Sequence, residues 1–159
     1  MNVTIRPERQ GDLPVILDLV EKAFENVEES DHQEQHLVER LHGSDTFIPE
    51  LSLVAVNGEG IIIGYILLTK VKIVSANSTT VSLAVAPLAV HPAYQNNKIG
   101  GMLIEEAHKT ARAMGYGSGC APKCCAERNG CLCPRRRCCI AATAYARPCW
   151  FMLTATMTL

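Results

Sequence analysis

Cysteine is absent from the first 119 residues of this 159-residue chain, and no part of the chain has a long apolar run or a large charge excess. The two longest apolar runs, 61–68 and 83–90, have the length of strands and are too short to span a membrane. A formal net charge of −1 excludes the usual basic surface of nucleic-acid-binding proteins. No basic segment followed by an apolar one begins the chain, so we expect no signal peptide and a cytoplasmic protein.

The length of the chain and its apolar content predict one domain with its own core. Alternating apolar residues bounded by turn signals predict strands, and apolar residues at helical spacing predict helices. The expected order is β-α-α-β-β-β-α, with strands at 3–6, 51–56, 61–74 and 81–90 and helices at 13–24, 31–42 and 100–114.

Four residues mark boundaries or irregularities in these elements. Asp12 is expected to cap the first helix, and Gly43 to end the second. Gly64 within a strand indicates a bulge. Pro87 cannot donate to a sheet ladder, so it indicates an edge, a bulge or a split in the sheet.

The segment 87–103 joins an apolar strand to a helix through a polar loop that ends in Gly100 and Gly101. The first amides of a helix have no partner within the helix, and the helix dipole adds positive potential there. Glycine lets an anion approach the backbone without a Cβ in the way. The segment therefore predicts a diphosphate site, with a simple strand-to-helix turn as the alternative.

This segment resembles the signature of the GNAT superfamily of acetyl-CoA-dependent N-acetyltransferases, bacterial type. That family places Gln or Arg, two residues, Gly, one residue, and then Gly or Ala after an apolar strand ending in Val-x-Pro. Here Val90-His91-Pro92, Gln95 and Gly100 match, and the opening residues 5–16 resemble the family's first strand and helix. The resemblance covers residues 1–117 and implies an α/β (α+β) GNAT fold, a mixed, mostly antiparallel sheet flanked by helices.

The resemblance also implies how acetyl-CoA, the expected co-substrate, would be held. Amides of residues 95–101 would bind the pyrophosphate, and the strand 88–90 would hydrogen-bond the pantetheine arm. An amide of Ala89 or Val90 would polarise the thioester carbonyl while the amine attacks directly. The implied acetyl-CoA-binding residues are Leu88, Ala89, Val90, Gln95, Asn96, Asn97, Lys98, Ile99, Gly100 and Gly101.

Lys98 departs from the family signature, because it stands at the position of the first glycine. The charge of Lys98 could strengthen binding of the diphosphate. Its side chain could equally crowd the backbone if the position needs a positive φ.

No catalytic base is assigned from the sequence. His91 lies near the expected acetyl-CoA-binding residues but follows the strand, so the alternative is a surface residue with no catalytic role. Glu50 precedes a strand and could face the acceptor, or be a solvated carboxylate. Glu28 and Glu29 lie in the segment that borders the substrate in family members, or form a solvated acidic loop.

His32 and His36 have the i, i+4 spacing of a metal pair. Their neighbours, residues 31–35, are otherwise polar or acidic, which favours a solvated helix face. We therefore predict no metal site.

All 8 cysteines lie between residues 120 and 149, in a segment that no longer resembles the family. A disulfide framework, a zinc site and a reading-frame change near Ser118 are the alternatives. The cysteine spacing matches no usual zinc finger, so we favour the frame change, which the coding DNA would test. Tyr145 is not assigned as a proton donor. We expect a single GNAT domain over 1–159, with a family-like core at 1–117 and an atypical segment at 118–159.

The sequence thus predicts an N-acetyltransferase whose partners are acetyl-CoA and a primary amine of a small molecule or protein. We expect no nucleic acid and no membrane as partners, and allow for a homodimer. The alternative is a catalytically weak or inactive acyl-CoA-binding protein, and a metal-binding module on the tail is a third hypothesis.

Overall fold

A computed structural model describes residues 2–28, 30–75 and 78–116, and the predicted order of strands and helices is confirmed there. Short 3-10 helices at Pro49–Leu51 and Pro92–Tyr94 supplement it. In the described segments no helix has both the length and the apolar character needed to cross a bilayer. The strands are β1 (Val3–Pro7), β2 (Ser52–Asn57), β3 (Ile62–Ser75) and β4 (Ser78–Val90), and the α-helices are α1 (Leu13–Phe24), α2 (Glu34–His42) and α3 (Ile99–Ala113).

The four described strands form one antiparallel sheet in the order β1-β2-β3-β4. At its centre Ile5 pairs with Ala55, Ala55 with Gly64, and Gly64 with Val90. The β2–β3 hairpin needs only a short turn, which agrees with the Asn57–Gly60 turn signal, whereas β1 and β2 are joined through α1 and α2. The end of β4 therefore lies level with the start of β3.

Helices cover both faces of this sheet, because alternate residues of each strand point to opposite sides. Val54, Tyr65 and Leu67 are buried with α1 and α2, whereas Leu53 and Ile66 are buried with α3. The expected sheet flanked by helices is confirmed, and the core lies in two layers, one on each face.

Two irregularities fall where the sequence indicated them. The β2–β3 register shifts beside Gly64, since Ala55 pairs with Gly64 but Val56 pairs with Ile62. The β3–β4 register shifts at Pro87, which is buried within the extra residues of β4. Bulges bend a strand and increase its twist, so β4 changes direction just before residues 88–90.

Two local expectations are corrected. Asp12 stands at the N-cap of α1 but its side chain caps nothing there. The carboxylate instead accepts from Arg6 at 2.6 Å and from the Arg9 amide at 2.9 Å. Helix α2 begins at Glu34 rather than at residue 31, because His32 has a left-handed φ of 54° that a helix cannot contain.

Candidate functional site

The last residues of β4 present backbone groups at the edge away from β3. The His91 amide donates to the Ile63 carbonyl at 3.0 Å. Hydrogen-bonded and non-hydrogen-bonded pairs alternate along two antiparallel strands. The backbone N–H and C=O groups of Ala89 therefore point toward β3 and pair with those of Tyr65. Leu88 and Val90 therefore direct their N–H and C=O groups to the other edge. Within the described residues, no strand pairs with that edge.

The loop after β4 is held by its own polar side chains. The side-chain amide of Gln95 donates to the Val90 carbonyl at 3.2 Å, and the side-chain amide of Asn97 donates to the Tyr94 and Gln95 carbonyls at 3.1 Å each. His91 Nδ1 accepts from the Ala93 amide at 3.3 Å, which places this ring at the start of the Pro92–Tyr94 turn. These bonds fix the path of the chain from β4 to α3.

Helix α3 begins directly beside β4. Its first intrahelical bond runs from the Met102 amide to the Lys98 carbonyl, so the amides of Ile99, Gly100 and Gly101 have no acceptor within the helix. A Cβ on Gly100 would lie 3.8 Å from side-chain atoms of Leu88 and Val90.

Gly101 is exposed, and a Cβ placed there would meet nothing within 4 Å. Open space therefore lies beside Gly101 in the first turn of α3, where the helix dipole adds positive potential. This arrangement fits an anionic group such as a diphosphate. The adjacent outward edge of β4 fits a ligand arm that carries amide and carbonyl groups.

Lys98 is the N-cap of α3 and has a left-handed φ of 62°. Asn96, two residues earlier, has a φ of 63°, a conformation that asparagine tolerates better than other non-glycine residues. The position where the family has glycine thus does require a positive φ, and the lysine takes it at a cost of about 1–2 kcal/mol.

Replacement of Lys98 with glycine is expected to stabilise the fold by ~0.5–1 kcal/mol, since relief of the left-handed backbone exceeds the added flexibility of the unfolded chain. Thermal unfolding of both proteins would measure the difference. The matched control is Lys109→Gly in the middle of α3, where glycine should instead destabilise by about 1 kcal/mol. Equal destabilisation by both substitutions would contradict strain at Lys98.

The other candidate side chains are dispersed. Glu50 is exposed in the 3-10 helix before β2, and Glu28 is exposed after α1. Glu29 lies outside the described residues. His36 is exposed on α2, with its Nδ1 3.2 Å from Glu39, whereas His32 precedes that helix. The two histidines therefore do not share a helix face.

A buried polar network escaped the sequence analysis. Glu8, just after β1, accepts from His42 Nε2 at 2.9 Å and from the Ser52 hydroxyl. The Tyr65 hydroxyl lies 3.0 Å from Ser52 Oγ, and burial raises the pKa of Tyr65 well above its usual value. The network joins the end of α2 to β1, β2 and β3, and none of its hydrogen bonds within the described residues reaches the α3 amides.

His42 is the charged member of this network. Its Nδ1 lies 2.8 Å from the Val38 carbonyl and its Nε2 faces Glu8, so both ring nitrogens donate. Burial lowers the pKa of His42, but the bonds to Glu8 and Val38 outweigh it and raise the pKa above 6.5. Its place as the last residue of α2 also favours a cation.

Stability is therefore expected to fall as pH rises through the raised pKa of His42. The sign follows from linkage: a folded-state pKa above the unfolded one gives stability that is complete below pH ~6.5 and lost above the folded pKa. We expect a loss of up to about 1 kcal/mol, because solvent partly screens the pair. Urea unfolding at pH 6 and pH 9 would measure this loss. In Glu8→Gln, which removes the charged partner, the loss should be smaller, and superimposable pH dependences would contradict the assignment.

The predictions for the carboxyl-terminal segment, including the cysteine alternatives, Tyr145 and the domain extent beyond residue 116, lie outside the described residues. They stay predictions.

A family model described as an acetyltransferase (GNAT) domain matches residues 49–145. This is more than half of the chain, and it reaches beyond residue 117, where the sequence resemblance was expected to end. A comparison with curated proteins gives no match.

Solved structures resemble the chain as well. A GNAT family acetyltransferase from Brucella melitensis, in complex with acetyl-CoA, is 30% identical over 72% of this chain and 71% of its own, with a TM-score of 0.63. The GNAT family N-acetyltransferase YhbS from Escherichia coli, in complex with CoA, is 29% identical over 72% of this chain and 58% of its own, with a TM-score of 0.58. This chain thus spans less than two thirds of YhbS. An acetyltransferase from Vibrio fischeri, 16% identical with a TM-score of 0.55, shares the fold. The chain therefore belongs to the GNAT acetyltransferase family.

Proposed function

We propose that this protein transfers the acetyl group of acetyl-CoA to a primary amine of a small molecule or protein. One observation carries the proposal: the outward backbone edge at Leu88 and Val90 lies beside the unpaired amides that begin α3. A single ligand with a diphosphate and an amide-containing thioester arm fits both surfaces. The acetyl-CoA and CoA held by the Brucella and Escherichia proteins support this choice of ligand.

The roles follow from the direction of each backbone group. The amides of residues 96–101 hold the diphosphate, because the Gln95 amide, also expected to bind it, already donates to the Pro92 carbonyl. The outward groups of Leu88 hydrogen-bond the pantetheine arm. The Val90 amide, rather than that of Ala89 within the ladder, donates to the thioester oxygen as negative charge develops. A donor of this kind contributes about 10²–10³ in rate. The amine nitrogen attacks the carbonyl carbon and loses a proton to solvent water, the C–S bond breaks, and the CoA thiolate leaves.

Binding of acyl-CoA with little or no turnover is the second candidate. The observation that favours this candidate is the left-handed backbone of Lys98, which puts a Cβ at the N-cap of α3 beside the proposed diphosphate site. For both candidate functions we place the protein in the cytoplasm and include a homodimer in the proposal. Neither nucleic acid nor a membrane is proposed as a partner.

Calorimetric titration of acetyl-CoA into the reduced full-length chain tests both candidates. Transfer to a panel of primary amines would then be followed by mass spectrometry of the products, because the 8 cysteines would react with a thiol reagent. Micromolar binding with an acetylated product supports transfer. Binding without product from any amine supports the second candidate, and no binding by a folded sample contradicts both.

A further inference from the structure

His91 forms the junction between β4 and the loop that leads to α3. Its backbone belongs to the sheet, because its amide donates to the Ile63 carbonyl at 3.0 Å. Its imidazole belongs to the loop, because Nδ1 accepts from the Ala93 amide at 3.3 Å. The ring also contacts that of Tyr94, with centroids 5.8 Å apart and an interplanar angle of 67°. One side chain therefore ties the end of the strand to the Pro92–Tyr94 turn.

The bond to Ala93 requires one form of the His91 ring. A nitrogen that accepts from an N–H group has a free lone pair, so the proton of the neutral ring is on Nε2. Protonation places an N–H group on Nδ1 as well, and two donors then face each other. The Ala93 amide loses its acceptor in that state, and the side chain no longer holds the turn.

The turn in its own way positions the start of α3. The Tyr94 amide donates to the His91 carbonyl at 2.8 Å, and the Asn97 side chain reaches back to the carbonyls of Tyr94 and Gln95. The next residue, Lys98, is already the N-cap of α3. A displaced turn therefore moves the first amides of this helix, which are the proposed diphosphate site.

The charged groups near this junction do not hold a proton on His91. Strand β4 packs against β3, α1, α2 and α3. Opposite His91, β3 places the apolar Ile63, and the charged side chains of α1 are exposed. The titratable side chains that lie in the core of these elements or adjoin the turn are Tyr65, Glu34, Tyr94 and Lys98. Within the described residues none of them forms an ion pair or hydrogen bond with the His91 ring, and the charge of Lys98 has the sign that disfavours a second cation.

We propose that neutral His91 positions the loop 92–98 and that protonation of its ring releases this loop. His91 is a positioning residue, since its ring acts on the α3 amides through the turn. Histidine gains its proton between pH 8 and pH 5, so the loop is held at neutral pH and loosened in acid. Weaker acetyl-CoA binding in acid is the consequence, and this consequence rests on the proposed function.

Two substitutions separate the bond from the charge. In His91→Asn, the side-chain oxygen accepts from the amide two residues on, as Nδ1 does, but asparagine gains no proton. His91→Leu removes the acceptor at every pH. Exchange of the Ala93 amide with water, measured by NMR in the full-length chain, reports the bond directly. Its intrinsic rate is the same in all three proteins, because the flanking residues Pro92 and Ala93 are unchanged.

Relative to His91→Asn, exchange in the parent should rise about fivefold from pH 8 to pH 5.5, the effect of losing one hydrogen bond. In His91→Leu it should be about fivefold faster than in His91→Asn at both pH values. Equal pH dependences in the parent and His91→Asn would overturn the proposal. If His91→Asn does not fold, His91→Ser replaces it, because its hydroxyl accepts from the same amide.

Calorimetric titration of acetyl-CoA at the same pH values tests the consequence. Phosphate groups of the ligand also titrate at about pH 6, so each Kd is divided by that of His91→Asn at the same pH. This ratio should rise about fivefold in acid. His36→Asn, a matched change of an exposed histidine on α2, should keep the pH profile of the parent. His42 cannot produce the effect, because its raised pKa stabilises the fold in acid.

The two measurements distinguish the proposals. Faster Ala93 exchange in acid with an unchanged Kd ratio would overturn the control of affinity by His91. No acetyl-CoA binding by any of the folded proteins would instead contradict the proposed function, and the exchange rates would still decide whether His91 holds the loop.

Discussion

Aspartate in place of Gly101 is expected to weaken acetyl-CoA binding about 100-fold while leaving the chain folded. Gly101 lies in the first turn of α3, is exposed, and has open space where a Cβ would stand. A carboxylate there would face the bound diphosphate, and two like charges about 4 Å apart repel by several kcal/mol at a protein surface before screening. The same carboxylate interacts favourably with the helix dipole, so folding should not suffer.

Asparagine at Gly101 is the matched control, since it has the shape of aspartate without the charge. The ratio of the two Kd values, measured by the same calorimetric titration, isolates the electrostatic part. The ratio should also shrink at high salt, because the repelling groups are exposed. A ratio near one, with both variants folded by circular dichroism, would place the diphosphate away from α3 and remove the main support for the acetyl-CoA site.

The strand, loop and helix of this site could be predicted because their signals are local. Gly100 and Gly101 follow a polar loop, and the loop follows an apolar strand within a few residues, so sequence spacing alone places them together. The direction of each backbone group could not be predicted in this way. The choice of Val90 over Ala89 as the outward amide depends on the register with β3, which is a tertiary property.

The errors have the same origin. Asp12 has the pattern of an N-cap, but Arg6 and the Arg9 amide take its carboxylate. Glu8 and His42 are 34 residues apart and no motif joins them, so their pairing appears only in three dimensions. Glu34 belongs to a polar run that the sequence analysis treated as solvated, whereas packing of α1 and α2 buries it. Propensity and spacing describe neighbours along the chain, and these contacts are set by packing.

Gly64 illustrates a residue whose local interpretation was correct but incomplete. The bulge beside it is present, yet the closest constraint comes from α3. A Cβ at Gly64 would lie 3.0 Å from Leu103 Cδ1 and 3.1 Å from Ile99 Cγ2. The missing side chain therefore allows α3 to approach β3, and this approach sets the distance between the α3 amides and β4.

Valine in place of Gly64 is accordingly expected to destabilise the fold by about 2–3 kcal/mol, the usual range for overpacking a dense core. It should also weaken acetyl-CoA binding by the folded molecules, because α3 must shift relative to Val90. Urea unfolding and calorimetry would measure the two effects. Gly58→Val is the control, because a Cβ in that turn meets nothing within 4 Å, and it should change stability by less than about 0.5 kcal/mol.

A double-mutant cycle identifies the contact responsible. Gly64→Ala alone should cost about 1 kcal/mol, because the Leu103 methyl must move by only a few tenths of an ångström. Leu103→Ala creates a cavity and is destabilising by itself, but it removes the atom that the new Cβ would touch. The cost of Gly64→Ala should therefore fall in the Leu103→Ala background, and the contact with Ile99 Cγ2 at 3.1 Å accounts for what remains. Additive costs would mean that the contact with Leu103 is not what requires glycine at position 64.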